Sequence, residues 1–405
     1  MTGPFPPPGR KNPLTLTRVP LLPPKARSRK AHLLTAAAAT GRFALPCCGG
    51  CGAFAFPVPE ACPVCLSPDL PMTDAPATAV LLSQTVAEVP ADSYFRERSP
   101  WRVGLVKMDA GPTALVHLHP GCVTGDVVRL SLLLDRAGQA VLHAAPKGNT
   151  DMTTDPQWHE MTAHPRHRRV LITDARGFGA AQIAASLKKA GAREVVLGLP
   201  EAWKPFDGRG LDGLTVLPLD MGSERSVADF VRDHGHKVEI VVNTADHPRP
   251  MAAATPQALR EALEAVALGP HRLAAALAPV MVARGADGPY GAAAWVNVLS
   301  VHALAPMPAM AVYSAAHATA LALSHGLRAQ LAAGGVRLAN LFAGPLDSPG
   351  FQPMPHPKVS AGAVAGAVLN ALTRGLEEDA IGDVARDLMQ RLAENPKAVE
   401  RDLRG

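Results

Sequence analysis

A chain of 405 residues is long enough for two or three domains with cores of their own. Apolar residues make up 47% and charged residues 19%, which excludes a fibrous or wholly disordered chain. The formal net charge is +5, yet residues 1–59 hold eight Lys/Arg and no acid, so the rest carries −3 (five less eight) and the basic character belongs to an N-terminal arm. No stretch of about 18 uninterrupted apolar residues occurs, so no membrane span is expected. The longest candidate, around Leu263–Val282, is interrupted by Gly269-Pro-His-Arg272. No secretory h-region follows the first basic residues, and the expected location is cytoplasmic.

Residues 1–24 are Pro-rich, without an apolar period, and read as a disordered or extended arm. Residues 25–43 can form one short basic helix ending near Gly41. The arm is either solvated or a docking element for a partner. Next come Cys48-Gly-Gly-Cys51 and, ten residues later, Cys62-Pro-Val-Cys65. Each pair is a tight turn that can set two thiolates on one ion, and two such turns close a tetrahedral four-sulfur site. The pattern predicts structural Zn²⁺ held by Cys48, Cys51, Cys62 and Cys65, with iron in a rubredoxin-like site as the alternative. The glycines of the first turn are expected to take the positive backbone angles of such a knuckle. Cys47 is the spare, and Cys122 reads as a small core residue.

Five short runs follow, at Ala79–Ala87, Arg102–Lys107, Thr113–His119, Val127–Leu134 and Ala140–Ala144, split by turn signals. They predict a small β-barrel. Leu45-Pro-Cys-Cys-Gly-Gly-Cys-Gly52 and Ala61-Cys-Pro-Val-Cys65, followed by such strands, resemble the acyl-CoA-associated zinc-ribbon/OB-fold family over about residues 25–147. The resemblance implies a module beside a thiolase-like enzyme, acyltransferase or aldolase that helps handle acyl-CoA and has no active site of its own. Binding of single-stranded nucleic acid is the weaker reading, because Tyr94, Phe95 and Trp101 are the barrel region's aromatic residues and fall in one loop. Residues 148–167 read as a polar linker in which His159, His164 and His167 are solvated.

From residue 168 to about 400, apolar strand-length runs alternate with Ala/Leu-rich helix-length segments, the pattern of an α/β Rossmann-like, doubly wound parallel sheet. The strand Arg169–Thr173 leads into Gly177-Phe-Gly179 and a helix, a turn suited to phosphate. Val241-Val-Asn-Thr-Ala245, Asn297-Val-Leu-Ser300, Tyr313-Ser-Ala-Ala-His317 and Gly344-Pro-Leu-Asp347 follow in order. Together these resemble the short-chain dehydrogenases/reductases (SDRs). The resemblance implies NAD(P) contacts from Thr173, Gly177, Phe178, Gly179, Asp220, Asn243 and Ala245, with Ser300 polarising a carbonyl and Tyr313 moving the proton. Four letters depart from it. Asp174 and Asp246 stand where the family has glycine, Val266 where it has a relay Asn, and His317 where it has the Lys that makes the Tyr acidic. A histidine keeps the one-turn proximity to the tyrosine but is shorter and cannot fork between two ribose hydroxyls as an ammonium does.

Two readings follow. In the first, the domain is a non-catalytic scaffold that pairs through its long helices, near Gln257–Arg284 and Ala311–Ala333, with itself or with an active SDR subunit. In the second, it is an NAD(P)-dependent reductase of 3-ketoacyl-CoA or dehydrogenase of 3-hydroxyacyl-CoA that uses Ser300, Tyr313 and His317. The Pro-rich loop Gly344–Lys358 takes the place of the family's substrate lid, and residues 361–395 are expected to form one or two amphipathic helices.

Overall fold

The computed structural model describes residues 22–23, 30–148, 150–206, 208, 210–211, 213–248, 255–286 and 291–403. Most of the Pro-rich arm therefore lies outside the described residues. Two compact units emerge, Arg10–His164 with Arg374–Leu376, and Pro165–Thr373 with Glu377–Gly405.

The first unit begins with helix α1 (His32–Ala39). Strands β1 (Ala44–Pro46) and β2 (Met72–Asp74) pair antiparallel, and the cysteine turns lie between them in sequence. Then come β3 (Thr78–Ala87), the short helix α2 (Ser93–Arg96), β4 (Trp101–Met108), β5 (Thr113–Leu118), β6 (Val127–Leu134) and β7 (Ala140–Pro146). The five strands β3 to β7 close a barrel in the order β3-β4-β5-β7-β6. Alternation directs Leu81, Val106, Leu118 and Leu130 inward, as the period of two requires. Every pair is antiparallel except β5 with β7.

The stretch read as a linker is built into this unit instead. Asp155 is fully buried and caps helix α3 (Pro156–Met161) through the Gln157 N–H. Its other carboxylate oxygen meets His143 Nε2 of β7 at 2.7 Å. The Gln157 amide bonds both the N–H and the carbonyl of Arg102 on β4. His159 sits in the helix with Nε2 2.8 Å from the Thr153 carbonyl, so it is not a solvated linker residue.

The second unit carries β8 (Arg169–Ile172), α4 (Ala180–Lys189), β9 (Glu194–Leu199), β10 (Thr215–Pro218), α5 (Glu224–His234), β11 (Ile240–Asn243), α6 (Pro256–Leu263), α7 (Gly269–Ala283), β12 (Ala294–Ser300), α8 (Ala311–Ala332), β13 (Arg337–Ala343), α9 (Ala361–Arg374), β14 (Glu378–Ile381), α10 (Asp383–Glu394) and α11 (Pro396–Asp402). The strands form one parallel sheet, β10-β9-β8-β11-β12-β13-β14, in which order reverses between β8 and β11. Central strands such as Ile240–Asn243 and Arg337–Ala343 are buried at every residue, as a sheet covered on both faces demands. The segment 361–395 was expected to be helical throughout. It also contains β14, an edge strand of the sequence Glu-Asp-Ala-Ile that pairs with β13.

Gly269-Pro-His-Arg272 breaks the apolar run but not the long helix expected near Gln257–Arg284. A π-helical turn, Glu264–Leu268, joins α6 to α7 into one helical stretch, Pro256–Ala283, long and apolar enough by composition to cross a membrane. Here Leu273, Leu277 and Met281 of α7 are spent on the core beside Leu171, Val241 and Trp295.

A buried polar ladder runs across the sheet. Thr173 Oγ donates to Asn243 Oδ1, Asn243 Nδ2 to Asn297 Oδ1, Asn297 Nδ2 to Asn340 Oδ1, and Asn340 Nδ2 to Ser324 Oγ. Trp295 Nε1 also donates to Asn297 Oδ1. Truncating Asn297 strips partners from three buried groups, each worth about 1–3 kcal/mol when left unpaired. Asn297→Ala is therefore expected to destabilise this unit by at least about 3 kcal/mol, read as a lowered urea midpoint.

Candidate functional site

Two places bring the singled-out residues together, one in each unit. In the first, Cys48, Cys51, Cys62 and Cys65 converge with all four sulfurs within 4.8 Å of one another. Cys48 and Cys65 Sγ are 3.4 Å apart, and Cys51 and Cys62 Sγ 3.6 Å. A tetrahedral ion with bonds of about 2.3 Å places its sulfurs about 3.8 Å apart, so the donor set fits such an ion. The two turns repeat each other. Gly52 N–H donates to the Cys48 carbonyl and Leu66 N–H to the Cys62 carbonyl, and both residues have positive φ, 72° and 62°. The positive angle thus falls one residue after each second cysteine, not at Gly49 or Gly50 as expected. Gly49 is needed for space instead, since a Cβ there would lie 2.0 Å from Asp69 Oδ2. The Cys51 and Gly50 N–H groups face the Cys48 thiol and pull it down to about 6. Cys47 Sγ turns to the Gly52 carbonyl, outside the cluster, and Cys122 is buried in the barrel core.

The second place lies at the carboxyl ends of β8, β11 and β12, beside the reversal of strand order where open α/β sheets bind ligands. The Thr173 hydroxyl is committed within the protein. It takes the Thr244 N–H while donating to Asn243. Asn243 Oδ1 also accepts from Ala245 N–H, so both residues brace the sheet. In the turn, Asp174 Oδ1 accepts the Arg176 N–H at 2.7 Å, and the Gly177 N–H donates to the Asp174 backbone carbonyl at 3.2 Å. The carboxylate and the carbonyl of Asp174 therefore hold N–H groups that would meet a phosphate. Burial drives the Asp174 pKa up, against the pull of those N–H groups. Gly177 packs on Thr244, and Gly179, at φ 79°, starts α4 in the left-handed region. The Arg176 guanidinium is bound to the carbonyls of Lys204 and Pro205. Asp220 keeps its carboxylate on the Gly222 N–H of its own turn.

Ser300, Tyr313 and His317 do come together, with Asp246 as a fourth member. Ser300 ends β12, and Tyr313 and His317 lie one turn apart on α8, rings 4.4 Å apart. The Ser300 N–H donates to His317 Nδ1 at 3.2 Å, and His317 Nε2 meets Asp246 Oδ1 at 3.3 Å. Ser300 Oγ accepts the His302 N–H. The Tyr313 hydroxyl faces both the Ser300 side chain and the Asp246 carboxylate. Burial first, and the Asp246 charge second, raise the Tyr313 pKa well above its usual value, against a weaker opposite pull from Ser300. A lysine at position 317 would act the other way.

Little room remains. The space bounded by Phe178, Asp246, Ser300, Tyr313, His317 and Leu346 amounts to about 20 Å³, enough for one water and not for a nicotinamide ring. Phe351, fully buried in the loop after β13, stands edge-on to Tyr313 at 5.6 Å. Neither Phe351 nor the Arg176 clamp was singled out by the sequence. The only signal for the first is an aromatic residue in a Pro-rich loop. Val266 occupies the π-turn, buried against Ala316 of α8. These residues as they stand do not fit a dinucleotide.

Residues 168–358 match the family model described as short chain dehydrogenase. No curated protein matches the sequence. A short chain dehydrogenase from Burkholderia cenocepacia J2315, crystallised in complex with NADP, is 28% identical with a TM-score of 0.53, over 59% of this chain and 98% of that one. A short-chain dehydrogenase from Streptomyces avermitilis is 21% identical with a TM-score of 0.48, over 57% and 93%. A 3-ketoacyl-(acyl-carrier-protein) reductase from Brucella melitensis, complexed with NADH, is 21% identical with a TM-score of 0.46, over 53% and 96%. Residues 168–358 of the second unit are thus a short-chain dehydrogenase domain by sequence.

The Tyr313 environment can be read by titration. The chain has three tyrosines, and burial, then the Glu160 charge, also hold Tyr94 well above the ordinary range. At pH 10.5 the folded protein should show at most one ionised tyrosine by absorbance, whereas Asp246→Asn should lower the pKa of a second. A folded pKa raised above the unfolded value of about 10 adds stability that is complete below that pH and is lost as pH climbs through the folded value. Alkaline unfolding should therefore set in above about pH 10, and earlier in the wild type than in a Tyr313→Phe variant corrected for its lower starting stability.

Proposed function

We propose that this chain is a non-redox scaffold subunit, a dehydrogenase-shaped domain fused to a zinc-bearing CoA-thioester adaptor. The observation that carries the reading is the Asp246 carboxylate set against the Tyr313 hydroxyl and His317, in a space of about 20 Å³. Carbonyl reduction by this fold needs a phenol that gives and regains a proton near neutral pH. An adjacent anion and burial both oppose the phenolate. The carboxylate of Asp174 adds a second anion where a dinucleotide phosphate must come.

The metal of the first unit is structural Zn²⁺ in this reading. Four thiolates leave no open position, and peptide N–H groups stabilise their charge. The barrel supports an OB-type assignment through its closed five-strand order with one parallel pair. The acyl-CoA connection rests on the resemblance of the knuckle and strand sequences. It makes a thiolase-like protein, an acyltransferase or an aldolase the expected partner. The long helices Pro256–Ala283 and Ala311–Ala332 are the natural surfaces for pairing with a second copy or with an active dehydrogenase subunit.

A second reading keeps the redox activity. It is favoured by the Ser300 side chain facing the Tyr313 hydroxyl, and by the NADP held in the Burkholderia relative. Here the domain reduces a 3-ketoacyl thioester, or oxidises the 3-hydroxyacyl form, after Asp246 swings away. Titration with NADPH and NADH under nicotinamide fluorescence separates the two. The scaffold reading expects no saturable binding by the wild type, and at least about tenfold tighter binding by an Asp174→Gly/Asp246→Gly double variant, a difference of about 1.4 kcal/mol. Tight binding by the wild type, with turnover lost in Tyr313→Phe, establishes the second reading instead. For the metal, one zinc per chain is expected by elemental analysis, and none in Cys62→Ala. A red protein holding iron would replace zinc in this account.

A further inference from the structure

The barrel-bearing unit contains a cavity of about 240 Å³ that neither site above uses. Its wall is largely apolar. Phe95 and Trp101 meet edge to face with centroids 5.0 Å apart, and Leu34, Ala140 and Val141 join them. One polar group in the wall has a defined direction. Trp101 Nε1–H donates to His117 Nδ1 at 3.0 Å, with the two rings nearly perpendicular. With Nδ1 accepting, the neutral ring must carry its own proton on Nε2. No described residue accepts that proton, while the ring is half-buried and lines the cavity. Burial holds the His117 pKa down at about 4, so the ring is neutral at pH 7.

Both carboxylates of the wall are already committed: Asp135 Oδ1 accepts the Ala137 and Gln139 N–H groups. The Glu160 carboxylate takes the Tyr94 hydroxyl at 2.8 Å, Arg98 Nε at 3.1 Å and Arg136 Nε at 2.9 Å. A cation would have to compete with two guanidinium groups for it. An anion would meet a neutral imidazole and an apolar wall. The volume is below that of drug-sized pockets and above what one ring needs. We propose that this cavity is a binding site for an uncharged, single-ring compound that carries one hydrogen-bond acceptor, with the ring against Trp101 and Phe95 and the acceptor on His117 Nε2–H. Such a compound recovers the hydrogen bond that the imidazole lacks and buries its ring among aromatic edges. The proposal stands apart from the reading of the dehydrogenase domain and survives either outcome there.

The test uses the full-length, metal-loaded protein with acetophenone, ethylbenzene and benzoate as probes, followed by ligand-observed NMR and calorimetry. Acetophenone should bind saturably, several-fold to about tenfold tighter than ethylbenzene, the spread expected for one neutral hydrogen bond. Benzoate should bind more weakly than acetophenone. His117→Phe should erase the preference for the ketone, and Ala140→Phe, which fills the cavity without touching the Trp101–His117 bond, should abolish binding of all three. The site is overturned if acetophenone fails to bind up to its solubility, if ethylbenzene or benzoate binds as well, or if Ala140→Phe binds as the wild type does. The wild-type comparison of the three probes decides even where a variant does not fold.

Discussion

An anion beside a buried phenol governs the dehydrogenase domain. Tyr313 is enclosed by α8, the end of β12 and the loop after β13, and the Asp246 carboxylate is the charge that faces its hydroxyl. The same carboxylate meets His317, whose other nitrogen is held by the backbone of Ser300. That backbone N–H makes Nδ1 the acceptor, so the Nε2 proton points at Asp246 and the ring becomes a strut between two strand ends. The positions that would handle a ligand's proton thus partner one another. Binding a nicotinamide here means breaking these bonds and exposing a carboxylate to a dinucleotide that is itself anionic.

Much of this frame was legible from the residues. The runs Val170–Ile172 and Ile240–Val242 are apolar on both faces, as strands of a covered parallel sheet are. The five barrel strands fall within a residue or two of their predicted bounds, because turn signals such as Asp109-Ala-Gly111 punctuate them. The four cysteines were legible because ligand spacing is a local property.

What escaped depends on partners distant in sequence. The β14 strand is an edge, so its Glu378 and Asp379 carry no apolar run to announce it. Asp155 looks like a linker acid until His143 of β7 meets it, and only then can the carboxylate be buried. Phe351 reads as a loop residue because nothing near it in sequence says that Tyr313 lies opposite. Asp174 and Asp246 were visible as departures, but their consequences were not. A letter alone does not say whether a carboxylate repels a ligand, caps its own turn or grips a neighbouring histidine.

The split between frame and chemistry has a physical origin. The ladder from Thr173 through Asn243, Asn297 and Asn340 to Ser324 satisfies buried amides side to side, and none of its bonds needs a ligand. Loss of any rung leaves an unpaired group in the core, so the ladder is under constraint whether or not the domain turns over substrate. The π-turn at Glu264–Leu268 behaves likewise. Val266 lacks an amide, yet the bulge survives because Ala262 and Ala316 pack around it. A catalytic lysine or relay amide has no such tie, since its partner is the bound ligand and its removal costs the apo fold little. In the scaffold reading, those positions are free to become His317 and Val266, and His317 bonds to Asp246, which stands where the family has glycine. The fold then holds a dehydrogenase outline whose interior is closed by its own side chains.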